Sequence, residues 1–525
     1  MAGTDVKEPL GRGTVVALVA LALAVFLVAN DFTALSVALP NMEGDLNTDV
    51  STVQWVINAY ALIFGVLIVT GGRLADMFGR RNAFFAGAGI FALFSTLAGL
   101  APNVELLIAG RALMGIGGAL MWPAVLGLTY EVLPESRQAL AGPLVLGVAG
   151  IGNAFGPMLG GVLTEEASWR WVLLLNLPIA LGACLITYLK VPHKPGTRGE
   201  EHIDYAGVSA LSVGLIALLF ALDQATDWGW GDPRIIGLLV VCVASLLAFV
   251  AIERRAGASA LIPADVARNR VFVPACAAVV LMSATFFAIL LYVPQVMSKL
   301  MGFSALEAGI GFLPFMAVFS IFAFMSGPLY ERVGGRILLL VGGACLPAGL
   351  LLLSLPGESA RYPSLIAGLV VAGVGVGLFY STITTVAVTA LDKSRAGLAG
   401  GILYMCQVAG GSIGLGLTTT IFTASALSHV HDDALGDRLN DAQEQAVGQI
   451  LSGAETGAQL TRAFPDIADR LEQLARDAMS MGVHTALRVD TALALVGLLV
   501  VILFVGRNRR EPAVAAETPA PEAAA

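Results

Sequence analysis

The sequence predicts an all-α integral membrane protein of 14 transmembrane helices, and three observations carry that prediction. Charged residues make up 13% of the chain against 57% hydrophobic, with a mean hydropathy of +0.81, whereas soluble domains carry about 25% charged residues. Apolar runs of about 20 residues, the length a helix needs to cross hydrocarbon, recur from one end to the other. Lys and Arg are dense in every second polar break and scarce in the others, which is the charge asymmetry of a chain that weaves through a bilayer.

Apolar windows read against polar breaks place the spans at about 15–39, 52–72, 82–101, 105–128, 138–163, 170–190, 205–222 and 234–252, then 271–297, 305–330, 337–356, 362–385, 396–422 and 486–506. The first run is too long for a signal-peptide core, and no A-x-A-type cleavage site follows it, so it is read as a span. With the amino terminus inside, the inner segments hold 20 of the 30 Lys and Arg, and the short outer segments hold only Arg170, Arg234, Lys299 and Arg361. Both termini are therefore expected in the cytoplasm of a multi-pass cell-membrane protein.

Several function classes are excluded. A net charge of −8 without a basic stripe gives nucleic acid nothing to bind. Cys184, Cys242, Cys276, Cys345 and Cys406 lie in apolar runs at no metal-like spacing. There is no Gly-x-x-x-x-Gly-Lys phosphate loop, no paired catalytic carboxylates and no His/Cys cluster. No enzyme, metal, cofactor or ATP-driven pump is expected; the anticipated partners are lipid, a small hydrophobic or amphiphilic molecule, and protons.

An internal repeat organises the chain. GRLADMFGRR (72–81) matches GPLYERVGGR (327–336) at a shift of 255 residues, pairing Gly72 with Gly327, Asp76 with Glu331, Gly79 with Gly334 and Arg81 with Arg336. The same shift carries the first span to the ninth. The expected organisation is a short inner terminus (1–14), a six-helix bundle (15–190), an inserted helix pair with its loops (191–270), a second six-helix bundle (271–506) and an Ala/Pro-rich disordered tail (507–525). The polar stretch 423–485 falls outside, between the last two spans. Its His429–Ser480 portion holds ten acidic and four basic residues, and either a cap over the exit or a docking hairpin for a partner protein fits it.

Five motifs in this order resemble the major facilitator superfamily, and within it the fourteen-helix drug–proton antiporters. They are NDFTALSVALP (30–40), GGRLADMFGRR (71–81), AGRALMGIGGAL (109–120), GVAGIGNAFGPMLGGVL (147–163) and WRWVLLLNLP (169–178). Met77 departs from the signature loop by standing where a basic residue is usual, which implies a thinner charge network there. The resemblance implies two six-helix bundles around one cavity, exposed to each side in turn. It implies export of hydrophobic or cationic drugs or secondary metabolites against protons. Movement of lipids or lipid-like metabolites is the alternative, and a sensor or scaffold acting through 423–485 is a third reading.

Asp31 and Arg111 are the candidate proton-coupling residues. Ionisable groups inside spans are expensive and by default functional, and helix geometry puts both at similar depth, with Asp31 roughly 13 Å before Pro40. A structural pair that only holds the bundle together fits the same positions. In the second half Leu369 aligns with Arg111, and Asp31 is read as the sole carboxylate deep in a span, so the charge machinery is expected in the first half. Gly147, Gly150, Gly152, Gly156, Gly160 and Gly161 with Pro157 suggest a hinge or sliding contact between halves, or close packing alone. Asp76, Arg80 and Arg81, with Glu331 and Arg336, are implied to clasp the inner gate and also fix topology by charge. Candidate substrate contacts are Gln54, Trp55, Tyr60, Phe286, Phe287, Tyr292, Tyr404 and Gln407, although aromatic residues on membrane helices more often pack or face lipid.

Overall fold

The computed structural model describes residues 10–36, 38–48, 50–193, 204–256, 260–355, 361–392, 395–432, 443, 464 and 467–505. Fourteen helices are long and apolar enough to span a membrane. In chain order they are α1 (Arg12–Ala34), α2 (Val50–Phe78), α3 (Arg80–Gly99), α4 (Val104–Val132), α5 (Ala141–Glu166), α6 (Arg170–Lys190) and α7 (Tyr205–Trp228). Then follow α8 (Pro233–Ala256), α9 (Phe272–Gln295), α10 (Ala305–Val333), α11 (Gly335–Leu353), α12 (Tyr362–Thr389), α13 (Ala396–Asp432) and α14 (Ala468–Phe504). Among the described residues there is no strand. The tail 507–525 and about half of 423–485 lie outside the described residues.

Local chemistry sets the ends. Asn103 accepts the Leu106 amide at 3.0 Å to start α4, and Ser304 with Glu307 forms a capping box at α10. Gly79 and Gly334, partners in the 255-residue repeat, turn the chain between α2 and α3 and between α10 and α11 with φ of 94° and 83°. Only glycine takes that conformation cheaply, so the repeat recurs in backbone geometry.

Packing follows the repeat as well. In the first half α1 packs on α5 and α6, α4 on α2 and α3, and α3 on α6. In the second half α9 packs on α13 and α14, α12 on α10 and α11, and α11 on α14. The halves meet along two seams, α5 with α10 and α2 with α13. The pair α7–α8 flanks the second seam: α7 touches α2 and α13, and Trp230 Nε1 donates to Thr420 Oγ1 at 2.6 Å. Helix α8 presents Val240, Val243 and Leu247 outward, the composition of a surface meant for acyl chains.

The last two helices differ from expectation. The final spans were read as 396–422 and 486–506, yet α13 runs on to Asp432 and α14 begins at Ala468. Part of the polar stretch thus continues both helices as amphipathic extensions.

Candidate functional site

The structure brings Asp31 of α1 and Arg111 of α4 together in a fully buried pair, with Arg111 Nη1 donating to Asp31 Oδ2 at 2.5 Å. Helix α2 supplies a second anchor, because Arg111 Nε donates to the Val56 carbonyl at 2.7 Å and the guanidinium lies 4.4 Å from the centroid of the Tyr60 ring. Met114 Sδ accepts from Nη1 at 3.2 Å, while Nη2 has no hydrogen-bond partner among the described residues. The other carboxylate oxygen of Asp31 accepts from Asn176 Nδ2 at 3.3 Å. Asn176 in turn donates to Ser95 Oγ at 3.0 Å, and Ser95 donates to the Leu173 carbonyl at 2.7 Å.

Sequence reasoning missed Asn176 and Ser95. Asn176 stands where α6 breaks, between Arg170–Leu174 and a second segment from Asn176 to Lys190. The Asn176 side chain at this junction is buried and reaches both Asp31 and Ser95. A buried pair of this kind gains little net stability, because desolvation offsets the Coulombic attraction. What the geometry provides is a single polar cluster that ties together α1, α2, α4 and α6.

The second cluster sits at the end that carries the basic loops. Asp76 of α2 accepts from the backbone amides of Gly397 (3.3 Å) and Leu398 (2.8 Å) at the start of α13, the positive end of that helix dipole. Arg80 holds Asp76 at 3.0 Å and reaches across to Glu131 of α4 at 2.8 Å; Glu131 was not anticipated. One carboxylate therefore links the two halves. Arg81 is not part of this cluster: its Nη2 donates to the Tyr188 carbonyl at 2.8 Å, and it stacks near Phe85 and Tyr188. Glu331 and Arg336 are exposed, so the second-half copy lacks the buried position of the first.

The glycine face of α5 is two faces. A Cβ at Gly147 would strike Phe324, and one at Gly150 would strike Phe319 and Ser320, all on α10 of the other half. A Cβ at Gly152, Gly156 or Gly160 would strike Ala29, Thr33 or the Ala34 carbonyl, all on α1 of the same half. The expectation that Gly152, Gly156 and Gly160 form the contact between halves is therefore corrected. Pro157, beside Gly309 of α10, lies toward the other half.

A narrow cavity between the halves is lined by Trp122, Val145, Val279, Tyr380, Tyr404 and Gln407, among others. Tyr404 and Gln407 are the anticipated contacts that reach it. Tyr60 covers Arg111 instead, and Phe286 packs on Phe315, Phe319 and Tyr380 behind the wall. Phe287 lies against Gly411, and Tyr292 Oη donates to Thr419 Oγ1 at 3.1 Å. Trp55 meets Phe220 of the inserted pair, and Gln54 is exposed. These six do not line the cavity.

Asp490 of α14 is also fully buried, which corrects the expectation that Asp31 is the sole deep carboxylate. Placed at the margin of a window starting at 486, it reads as an end residue; with α14 starting at Ala468 it lies well inside the helix.

This architecture matches known proteins. A family model described as the Major Facilitator Superfamily matches residues 21–415. The chain is 30% identical to the tetracenomycin C resistance and export protein of Streptomyces glaucescens, over 97% of this chain and 94% of that one. It is 34% identical to the cephamycin export protein CmcT of Amycolatopsis lactamdurans, over 77% and 84% of the two chains. The crystal structure of the human organic anion transporter MFSD10 (TETRAN) shares the fold, with a TM-score of 0.61 at 13% identity, over 93% of this chain and 99% of that chain. A family model that spans both seams and a relative that aligns almost end to end agree with the repeated helix packing, and the chain belongs to the Major Facilitator Superfamily.

Proposed function

We propose that the protein exports a hydrophobic or cationic drug or secondary metabolite from the cell in exchange for protons, by alternating access of the cavity around Trp122, Tyr404 and Gln407. The observation that carries this reading is the buried Asp31–Arg111 pair, whose charge is felt by four helices of one half. A proton arriving at Asp31 cancels the charge that holds Nη1, and the guanidinium is left with the Val56 carbonyl and the Tyr60 face. Helices α1, α2 and α4 then lose a common anchor, and the half can tilt. The relatives named for resistance and export support the direction and the substrate class.

The basic loops and both termini face the cytoplasm in this reading. Asp76 on the start of α13 acts as the inner clasp, released when the halves rock. Gly147 and Gly150 let α5 slide on α10. Binding to the two conformations with different affinity is what couples proton and substrate.

The test is flux of ethidium, as a cationic probe, in proteoliposomes under an imposed pH gradient. Wild type should move ethidium against the proton gradient, and Asp31→Asn should retain binding while losing the response to ΔpH. Flux by Asp31→Asn that follows ΔpH as wild type does would sink the assignment.

A further inference from the structure

We propose that Asp490 is a second proton-binding residue of the transport cycle, lodged between α9, α13 and α14 of the second half; its transport role rests on the proton-driven reading above. The carboxylate is completely buried. Its Oδ1 is hydrogen-bonded to Thr418 Oγ1 of α13 at 2.8 Å, and its backbone carbonyl lies 3.5 Å from Thr285 Oγ1 of α9. Its Oδ2 has no hydrogen-bond partner among the described residues.

That arrangement suits a proton better than a charge. Ionised, the group places a charge in hydrocarbon with no counter-cation beside it among the described residues, which is strongly unfavourable. Protonated on Oδ1, it donates to Thr418 Oγ1, whose own single proton goes to the Gly414 carbonyl at 2.8 Å, and only the carbonyl oxygen Oδ2 is left without a donor. This conformation therefore fits the protonated acid, and the proton leaves when the surroundings of the group change during a cycle. Asp31 differs, since both its oxygens are engaged. The ionisable groups on the packed elements include Cys276 and Tyr292 of α9, Lys299 in the turn after it, Cys345 of α11, Tyr404, Cys406 and His429 of α13, and Arg476, His484 and Arg488 of α14. Of these, Tyr292 interacts electrostatically with the carboxylate.

Position supports the same conclusion. In the first half, α1 and α6 carry Asp31 and its partner Asn176. Under the repeat these helices correspond to α9 and α14, which carry Thr285 and Asp490. The second half thus holds a carboxylate at the matching helix pair, contributed by the last helix rather than the first. Hydroxyls stand at intervals from it along α13: Thr418, then Thr419 with Tyr292 at 3.1 Å, then Ser425 with Thr485 at 3.0 Å. Water entering along that seam would exchange a proton with the carboxyl group without crossing the Asp31 site.

The experiment is infrared titration of the reconstituted full-length protein, following carboxylic-acid C=O bands as pH is stepped, for wild type, Asp31→Asn, Asp490→Asn and Asp490→Glu. Asp490→Asn should delete one titrating band that Asp31→Asn keeps, and Asp490→Glu should move that band in frequency. The glutamate variant decides the matter if the asparagine variant does not fold. In the same liposomes, the ethidium gradient that balances a given ΔpH should fall by one proton per ethidium in Asp490→Asn and recover in Asp490→Glu. An unchanged infrared titration in both variants overturns proton binding at Asp490, and an unchanged balance point overturns its part in transport. Wild-type ethidium flux that ignores ΔpH overturns the proton-driven reading and the transport role, while the infrared bands still decide whether Asp490 takes a proton.

Discussion

Arg111 holds three helices through one planar group, and this makes it the least replaceable residue of the site. Its fork meets Asp31, the Val56 carbonyl and the Tyr60 face at once. Arg111→Ala strands a buried carboxylate, for which about 3–5 kcal/mol of destabilisation is expected. Arg111→Lys keeps the charge but not the fork, so an intermediate loss is expected. Asp31→Asn with Arg111→Ala should be more stable than Arg111→Ala alone, because the orphaned charge is gone. Thermal unfolding of these proteins and of Asp31→Asn alone in detergent checks this; additive effects of the two single changes would show the side chains to be energetically independent. Asp31 and Arg111 were legible in the sequence because a charge inside an apolar run is conspicuous. Asn176 and Ser95 were not, because neutral polar residues are ordinary in membrane helices and only the break at Leu175 gives them their roles.

At the scale of elements, α5 and α13 carry the testable content. Gly150→Leu should insert, fold and bind, but turn over at least tenfold more slowly, because its side chain meets Phe319 on the moving seam. Gly156→Leu should instead lower the yield of folded protein, since Thr33 and Ala34 of α1 lie inside one half. Expression and ethidium flux measured together separate the two; similar flux defects at equal yield would refute the division of the face. Hydropathy located the helix centres, but it could not see their ends or their facing. The α13 and α14 extensions are polar enough to leave an apolar window. A glycine's partner is likewise not written in its spacing, which is the same for α1 and α10.

At the scale of the whole molecule, the proposed clasp at Asp76 is expected to set how the arrangements of the two halves are populated. Its carboxylate binds two amides at the start of α13 in this arrangement. Asp76→Asn should remove about 1–2 kcal/mol of that preference, shifting the balance between arrangements by a factor of roughly 5–30. Spin labels on the loops after α2 and before α13 should then report a larger fraction of widely separated pairs. An unchanged distance distribution would mean that other contacts close this end. The repeat and the fourteen spans were readable from the sequence, and part of the inequality was too, since the second copy has Gly335 where the first has Arg80, the partner of Asp76. The two amides of α13 that meet Asp76 were not, because a contact to backbone leaves no mark in the sequence.

The inserted pair leaves the two seams unequal, and the inequality reaches beyond the protein into the lipid around it. Helices α7 and α8 shield α2–α13, whereas α5–α10 shows Phe155, Met158, Ile310 and Ile321 to the acyl chains. In the proposed cycle, an amphiphile that concentrates in the bilayer before it is captured is expected to enter on the flank without the insertion. A photoreactive, membrane-partitioning cation should label peptides of α5 and α10 well above those of α7 and α8. Its capture should follow its partition coefficient more closely than its concentration in water.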